Sequence, residues 1–448
     1  MIARFSVSNY LSFDKETELS MIPGRIRKHP DHIIKDPAWN GIDLLRLALV
    51  FGANASGKSN LVKAMDFARY LIVYGTKPEQ SIAVECHKLN KACAQSPSKF
   101  EFEFKYQNNY YLYGFELNTH TIFSEWLLKI NSKTQKTIYE RKTSNSGNVS
   151  VDFGEVKYRD KNYKDFLGFI AKGTRPNQLF LTESIERNVE EFQGVYSWFR
   201  NVLHIIFPES TEIGRTIFPG TNNEISSSIV KYLHQFDAGI SDIAFKRADF
   251  EVDLSNMPAG LRQQIMLDLK PGHSAMIQTP EQKGFVLRMS KDQKISIFRI
   301  MTKHKIKNTN EEILFDLGFE SDGTLRMFDI IPALIEMSQT DAVFVFDELD
   351  RSLHPNLSKI IVDQFLALNP KQNSQMIATT HETNLMDLNT LRRDEIWFTE
   401  KDEKGATTLY SLEEFAPRYD RDIRRGYLLG RFGSIPLLGK IKRLNIDK

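Results

Sequence analysis

The run Gly52-Ala53-Asn54-Ala55-Ser56-Gly57-Lys58-Ser59 constrains this chain more than any other feature. It fills every position of G-x-x-x-x-G-K-[ST], after the apolar stretch Leu44–Val50 and before a helical pattern that begins near Lys58. Two glycines let the backbone curl until successive N–H groups converge, and the following helix adds the positive end of its dipole. Such a nest accepts phosphate oxygens, so a nucleoside triphosphate site on an α/β unit is the first expectation. Lys58 is placed to bridge β- and γ-phosphates and Ser59 to offer its hydroxyl to Mg²⁺, with Asn60 directly behind it. The bland alternative is a Gly/Ser turn ahead of a helix. The buried strand before it favours the phosphate loop.

A phosphate loop alone leaves GTPases, kinases, helicases and ABC proteins open, so the second half of the chain decides. Ala342-Val-Phe-Val-Phe346 is a short apolar strand that delivers Asp347 and Glu348 at its C-terminal end. Asp347 is placed for the Mg²⁺ shell and Glu348 to orient or deprotonate a water, because a carboxylate bound to the ion is a poor base. A solvated acidic turn is the competing reading of that pair taken alone. Leu349-Asp350-Arg-Ser-Leu-His-Pro355 follows directly and resembles the D-loop of ABC ATPases. Ile377-Ala-Thr-Thr-His381 resembles their switch histidine. Glu320-Ser321-Asp-Gly323-Thr324 stands where they keep a signature motif, although Ser321 also reads as a plain helix cap. A zinc-protease helix at His381-Glu382 is excluded, because position 385 is Leu385.

The remaining signals set limits. An apolar fraction of 41% in 448 residues is enough for a sizeable core, and a formal charge of +2 advertises no anionic partner. Short basic runs such as Arg25–His29 and Arg421–Arg425 read first as solvated faces. Cys86 and Cys93 fit neither a zinc ribbon nor a redox pair, so reduced thiols in a cytoplasmic protein are expected. The N-terminus alternates like a strand, which argues against a signal peptide, and no apolar run approaches the roughly 20 residues that span a bilayer. No membrane partner is expected.

Along the chain, three segments are expected. Residues 1–160 hold the phosphate loop and an antiparallel meander in which Phe100, Phe102 and Phe104 alternate with charges. Residues 161–310 read as a mainly helical insert, with short β-like runs at Phe285–Met289 and Ile295–Met301 in its latter part. Residues 311–448 resume with the signature, the acidic pair, the D-loop, the switch histidine and the tail. No repeat or sustained heptad is visible.

In these motifs, in Phe5–Phe13, in Asn177-Gln-Leu-Phe-Leu181 and in Tyr427–Pro436, the chain resembles ABC-type AAA family ATPases related to OLD-family and RloA-like proteins of bacterial anti-phage systems. The resemblance implies a two-lobed α/β head with a mixed central sheet, an antiparallel sheet and a helical subdomain, using ATP and Mg²⁺. Residues 52–60 would hold ATP and Lys58, Glu348 and His381 would act on it. Two copies would sandwich two nucleotides, with Ser321, Gly323 and Asp350 of one completing the site of the other. The nearest match to the family's Mg²⁺-sensing glutamine is Gln178.

It further implies a homodimer or higher homo-oligomer that switches a separate effector protein encoded by a neighbouring gene. The alternative of a different class is a DNA- or RNA-binding scaffold of the DNA repair type whose affinity ATP tunes. Neither long coiled coil nor appended nuclease is expected.

Overall fold

The computed structural model describes residues 1–35, 42–130, 134–156, 161–208, 223–236, 239–258, 260, 262, 269, 274–279, 283–290, 292–309, 311–368, 372–419 and 421–435. The chain divides into two compact units, one formed by Met1–Ile205, Asp341–Leu349 and Asn369–Lys448, the other by Ile206–Thr340 and Asp350–Leu368.

Among the described residues, the first unit carries a six-stranded sheet in the order Leu203–Ile206, Val343–Phe346, Gln375–Thr379, Leu47–Gly52, Ile396–Lys401, Thr407–Ser411. The four strands from Val343–Phe346 to Ile396–Lys401 run parallel, and Thr407–Ser411 returns antiparallel. Leu47–Gly52 is buried along its whole length, as its unbroken apolar sequence requires of a strand covered on both faces.

A second sheet of seven antiparallel strands follows the order Val149–Phe153, Gln135–Thr143, Ile122–Ile130, Asn109–Leu117, Ser98–Tyr106, Ile2–Ser8, Thr17–Ser20. Period-two alternation explains its core: Phe100, Phe102 and Phe104 are fully buried while Glu101 and Glu103 between them are not. Trp198 and Phe199 of helix Gln193–Asn201 pack on Phe102 and Phe104 at ring separations of 4.2–6.1 Å. Tyr10 and Phe100 hold Phe67 of helix Lys58–Tyr74 in the same way.

Gln375 joins the two sheets. Its buried side chain accepts from the Ile2 amide at 2.6 Å and donates to the Ile2 and Leu45 carbonyls at 3.0 and 2.9 Å. The start of strand Ile2–Ser8 is thereby hydrogen-bonded to the start of strand Gln375–Thr379.

The second unit differs from the expected helical insert. Helices Lys161–Gly173, Phe180–Glu186 and Gln193–Asn201 belong to the first unit, because their apolar faces are needed to cover the seven-stranded sheet. From Asp242 onward the second unit is largely an antiparallel sheet in the order Asp242–Ala248, Ile295–Lys305, Gly284–Met289, Ser274–Gln278, with Glu312–Asp316 also paired to Ile295–Lys305. Leu254, Met257, Phe285, Leu287 and Ile297 form its core. Helices Asn223–Gln235, Asp322–Gln339 and Pro355–Ala367 complete it.

No helix among the described residues is long and apolar enough to cross a membrane. Both cysteines are free thiols, and Cys93 donates its S–H to the Asp14 carboxylate at 3.0 Å. Burial and that acceptor push the Cys93 thiol up to about 11, so it is inert at neutral pH.

Replacing Gln375 by alanine strands three buried backbone groups, each worth roughly 1–3 kcal/mol when left unpaired. Equilibrium urea unfolding of Gln375→Ala is expected to show a loss of about 3 kcal/mol or more.

Candidate functional site

The phosphate loop leaves the C-terminal end of strand Leu47–Gly52 and enters helix Lys58–Tyr74. Gly57 has φ +110, and a Cβ on it would run into the Thr407 side chain; a Cβ on Gly52 would strike Thr399 and Ser56. Only glycine meets both conditions, so the two glycines of the motif are demanded by neighbours as well as by a curled backbone. Asn54 and Ala55 form the exposed crown of the loop, with Ala55 at φ 62, while Ser56 and Lys58 are buried. The Lys58 ammonium donates to the Gly52 and Ala53 carbonyls at 2.8 and 2.9 Å, inside the curl of its own loop.

Two threonines from the far side of the chain grip this loop. Thr399 lies opposite Gly52 in the parallel register, and its hydroxyl is 2.6 Å from that of Ser56. The Thr407 hydroxyl is 2.8 Å from the Ser56 carbonyl and 2.8 Å from the Ser12 hydroxyl, which also accepts from Asn60 at 2.7 Å. Motif reasoning finds none of Ser12, Thr399 and Thr407. Ser56 and Thr399 are separated by 343 positions, and a threonine so far downstream carries no local mark of contact with the loop.

The acidic pair ends strand Val343–Phe346, two strands from the phosphate-loop strand. At about 4.8 Å per strand this puts it roughly 10 Å across the sheet edge. Thr379 sets both residues: its hydroxyl donates to Asp347 Oδ1 at 2.7 Å and accepts from the Glu348 amide at 2.8 Å. Asp347 is buried, whereas Glu348 is partly exposed and has φ 47, a left-handed conformation that costs a non-glycine residue about 1–3 kcal/mol. His381 is exposed two residues beyond strand Gln375–Thr379. Thr379 pairs with Val50, so His381 follows the sheet to the level of Gly52.

One edge of the central sheet thus collects residues 52–60, Asp347, Glu348 and His381. Of the other expected residues, Ser321, Gly323 and Asp350 lie in the second unit. Ser321 is exposed and caps helix Asp322–Gln339, its hydroxyl accepting from the Thr324 amide at 3.1 Å. Gly323 lies against the Ser352 carbonyl. Asp350 opens the turn that leads to His354, whose ring nitrogen caps helix Pro355–Ala367.

Gln178 is a correction. Its Oε1 accepts from the Thr76 amide and hydroxyl, both at 2.9 Å, just past the C-terminal end of helix Lys58–Tyr74. At 1.5 Å per residue that helix separates it from Ser59 by about 25 Å, so Gln178 tethers a helix end and does not face Mg²⁺.

The expected family-like ending is also explained, except for Pro436, which lies outside the described residues. Tyr427 and Phe432 stack on Phe398, and the Ser434 hydroxyl donates to the Thr399 carbonyl at 2.6 Å. The segment backs the strand that carries the threonine against the phosphate loop.

Residues 47–387 match the family described as AAA domain, putative AbiEii toxin, Type IV TA system. The chain belongs to this AAA family. The match runs from the phosphate-loop strand past His381. No curated protein matches it. Solved structures similar to it include the SMC head domain from Thermotoga maritima, with a TM-score of 0.35, 11% identity, and 92% of this chain and 98% of that chain covered. Another is the SmcHead bound to the C-winged helix domain of ScpA, with a TM-score of 0.37, 13% identity, and coverage of 93% and 99%. A third is the Smc head domain with an extended coiled coil bound to the C-terminal domain of ScpA derived from Pyrococcus furiosus, at 0.33, 13%, 93% and 97%.

Two outcomes follow for this AAA site. Thr399→Val keeps the shape but loses the bond to Ser56, worth about 1 kcal/mol, so ATP affinity measured by calorimetry should fall roughly fivefold. Gln178→Ala should lower the melting temperature and leave the Mg²⁺ concentration dependence of ATP binding as it is in the wild type.

Proposed function

We propose that the chain binds Mg·ATP at the central-sheet edge and hydrolyses it with Glu348 as the residue that orients and deprotonates the attacking water. The observation that carries this reading is the pinning of Asp347 and Glu348 by one Thr379 hydroxyl, with Glu348 held in a strained conformation that a solvated turn has no reason to keep. The two phosphate-loop glycines support it, since Gly57 takes the positive φ the curl needs and neither position has room for a Cβ beside Thr399, Ser56 and Thr407. Backbone N–H groups of residues 53–59 and the Lys58 ammonium would hold the phosphates; Ser59 and Asp347 would hold Mg²⁺. The ion supplies charge neutralisation at the leaving oxygens. Asp347, anchored by Thr379, keeps its carboxylate toward the ion, and the neighbouring Glu348 takes the proton. His381 contributes a donor to the γ-phosphate.

In this reading the site is completed by a second copy. Ser321 and Gly323 of the partner copy would offer a capped helix N-terminus to the γ-phosphate, and Asp350 would line the same junction. Exposure of Ser321 and Asp322 supports it. ATP binding then drives dimerisation or higher assembly in the cytoplasm, hydrolysis resets it, and the cycle controls a separate effector in anti-phage defence. The words toxin and TA system in the family description agree with such an operon.

The test uses three purified full-length chains: the wild type and two variants. Glu348→Gln should bind ATP, lose hydrolysis by about 10²–10⁴-fold, and sediment as an ATP-dependent dimer. Lys58→Ala loses charge-assisted hydrogen bonds worth roughly 1.5–3 kcal/mol each, so its ATP affinity should drop at least tenfold. Glu348→Gln protein that hydrolyses ATP at the wild-type rate sinks the catalytic assignment, and a monomer at saturating ATP sinks the sandwich.

A further inference from the structure

A second cluster of chemistry-bearing side chains lies at the opposite end of the phosphate-loop strand. His29, Asp31 and His32 each bring one ligand-type atom into a group whose members all lie within 4.8 Å of one another. The local sequence His29-Pro30-Asp31-His32 explains why. Pro30 starts a short 3-10 turn, Pro30–His32, in which the His32 amide donates to the His29 carbonyl at 3.1 Å. Residues three apart eclipse one another in such a turn, and the two imidazoles accordingly stack at 4.9 Å. His29 itself is held at φ 50, a left-handed conformation unusual for a side chain of this size.

The surroundings orient both rings as metal-binding histidines are oriented. His32 is buried, and its Nδ1 lies 2.9 and 3.1 Å from the two oxygens of Glu395, a fully buried carboxylate. That contact leaves Nε2 toward Asp31, whose Oδ2 is 3.8 Å away. His29 directs Nε2 to the Leu388 carbonyl at 3.4 Å, which leaves Nδ1 as its ligand atom. A carboxylate or carbonyl behind each ligating histidine is the arrangement that fixes tautomer and raises ligand basicity.

Tetrahedral bonds of about 2.0–2.1 Å place ligand atoms about 3.4 Å apart, so an ion needs movements of an ångström or so. Asp31 is exposed and His29 half-buried, and both have room to make them, while His32 stays fixed.

We propose that His29, Asp31 and His32 form a binding site for a divalent transition metal of the zinc type, with Glu395 as the positioning residue behind His32. Two imidazoles and one carboxylate suit a borderline ion and leave a fourth position for water or a partner's side chain. The strand Leu47–Gly52 separates this site from the phosphate loop by about 20 Å, so it is distinct from the Mg·ATP site.

Full-length Lys58→Ala protein, in which nucleotide-linked metal is removed from consideration, is dialysed against Zn²⁺, passed through gel filtration and assayed by mass spectrometry for metal; Co²⁺ titration reads the ligand field directly. The expected result is about one Zn²⁺ per chain and a tetrahedral Co²⁺ absorption band. Both should be lost on adding Asp31→Ala, His29→Ala or His32→Ala, and Glu395→Gln should weaken affinity about 10–100-fold at unchanged stoichiometry. Asp31 is on the surface, so Asp31→Ala retains the fold, checked by circular dichroism. Zn²⁺ content near zero in the parent, or a full equivalent retained in the folded Asp31→Ala and His29→Ala chains, overturns the proposal.

Discussion

The site depends first on the register of four parallel strands. Phe346 is level with Ala378, Ala378 with Leu49, and Thr399 with Gly52. Parallel strands all end on the same side, so this register alone brings the acidic pair, His381 and the phosphate loop to one edge. A slip of one residue would turn every side chain to the opposite face. Full burial of Leu47–Gly52 on both faces makes such a slip costly, and the site inherits its alignment from the core.

Threonine hydroxyls convert that alignment into fixed side-chain geometry. Each can donate and accept, so one group at a strand end serves two partners at once. Thr379 does so for Asp347 and Glu348, and Thr399 and Thr407 surround Ser56. The tail then stacks Tyr427 and Phe432 on Phe398, next to Thr399. A segment with no chemistry of its own thereby stiffens the strand against which the phosphate loop closes.

Legibility varied with the range of the interaction that decides each feature. The strand Gln375–Thr379 and the helix starting at Lys58 are readable from their own residues, as is the meander around Phe100, Phe102 and Phe104. In the sheet after Asp242 the runs Phe285–Met289 and Ile295–Met301 are readable as strands, but Asp242–Ala248 is not, because charges such as Lys246 and Arg247 interrupt it and it owes its pairing to the long partner Ile295–Lys305. Gln178 is misplaced for a related reason: its position in the chain is near the expected motif, but its partner is the far end of a helix.

By itself the sequence determined the phosphate loop, the tandem carboxylates and their order along the chain, since each is a contiguous pattern whose chemistry follows from local backbone geometry. The tertiary structure alone decided which distant hydroxyls hold those groups, where Gln178 goes, how the units divide the chain, and that His32 meets Glu395. Most of those contacts join positions hundreds of residues apart, and nothing in either local segment specifies the other until the core has packed.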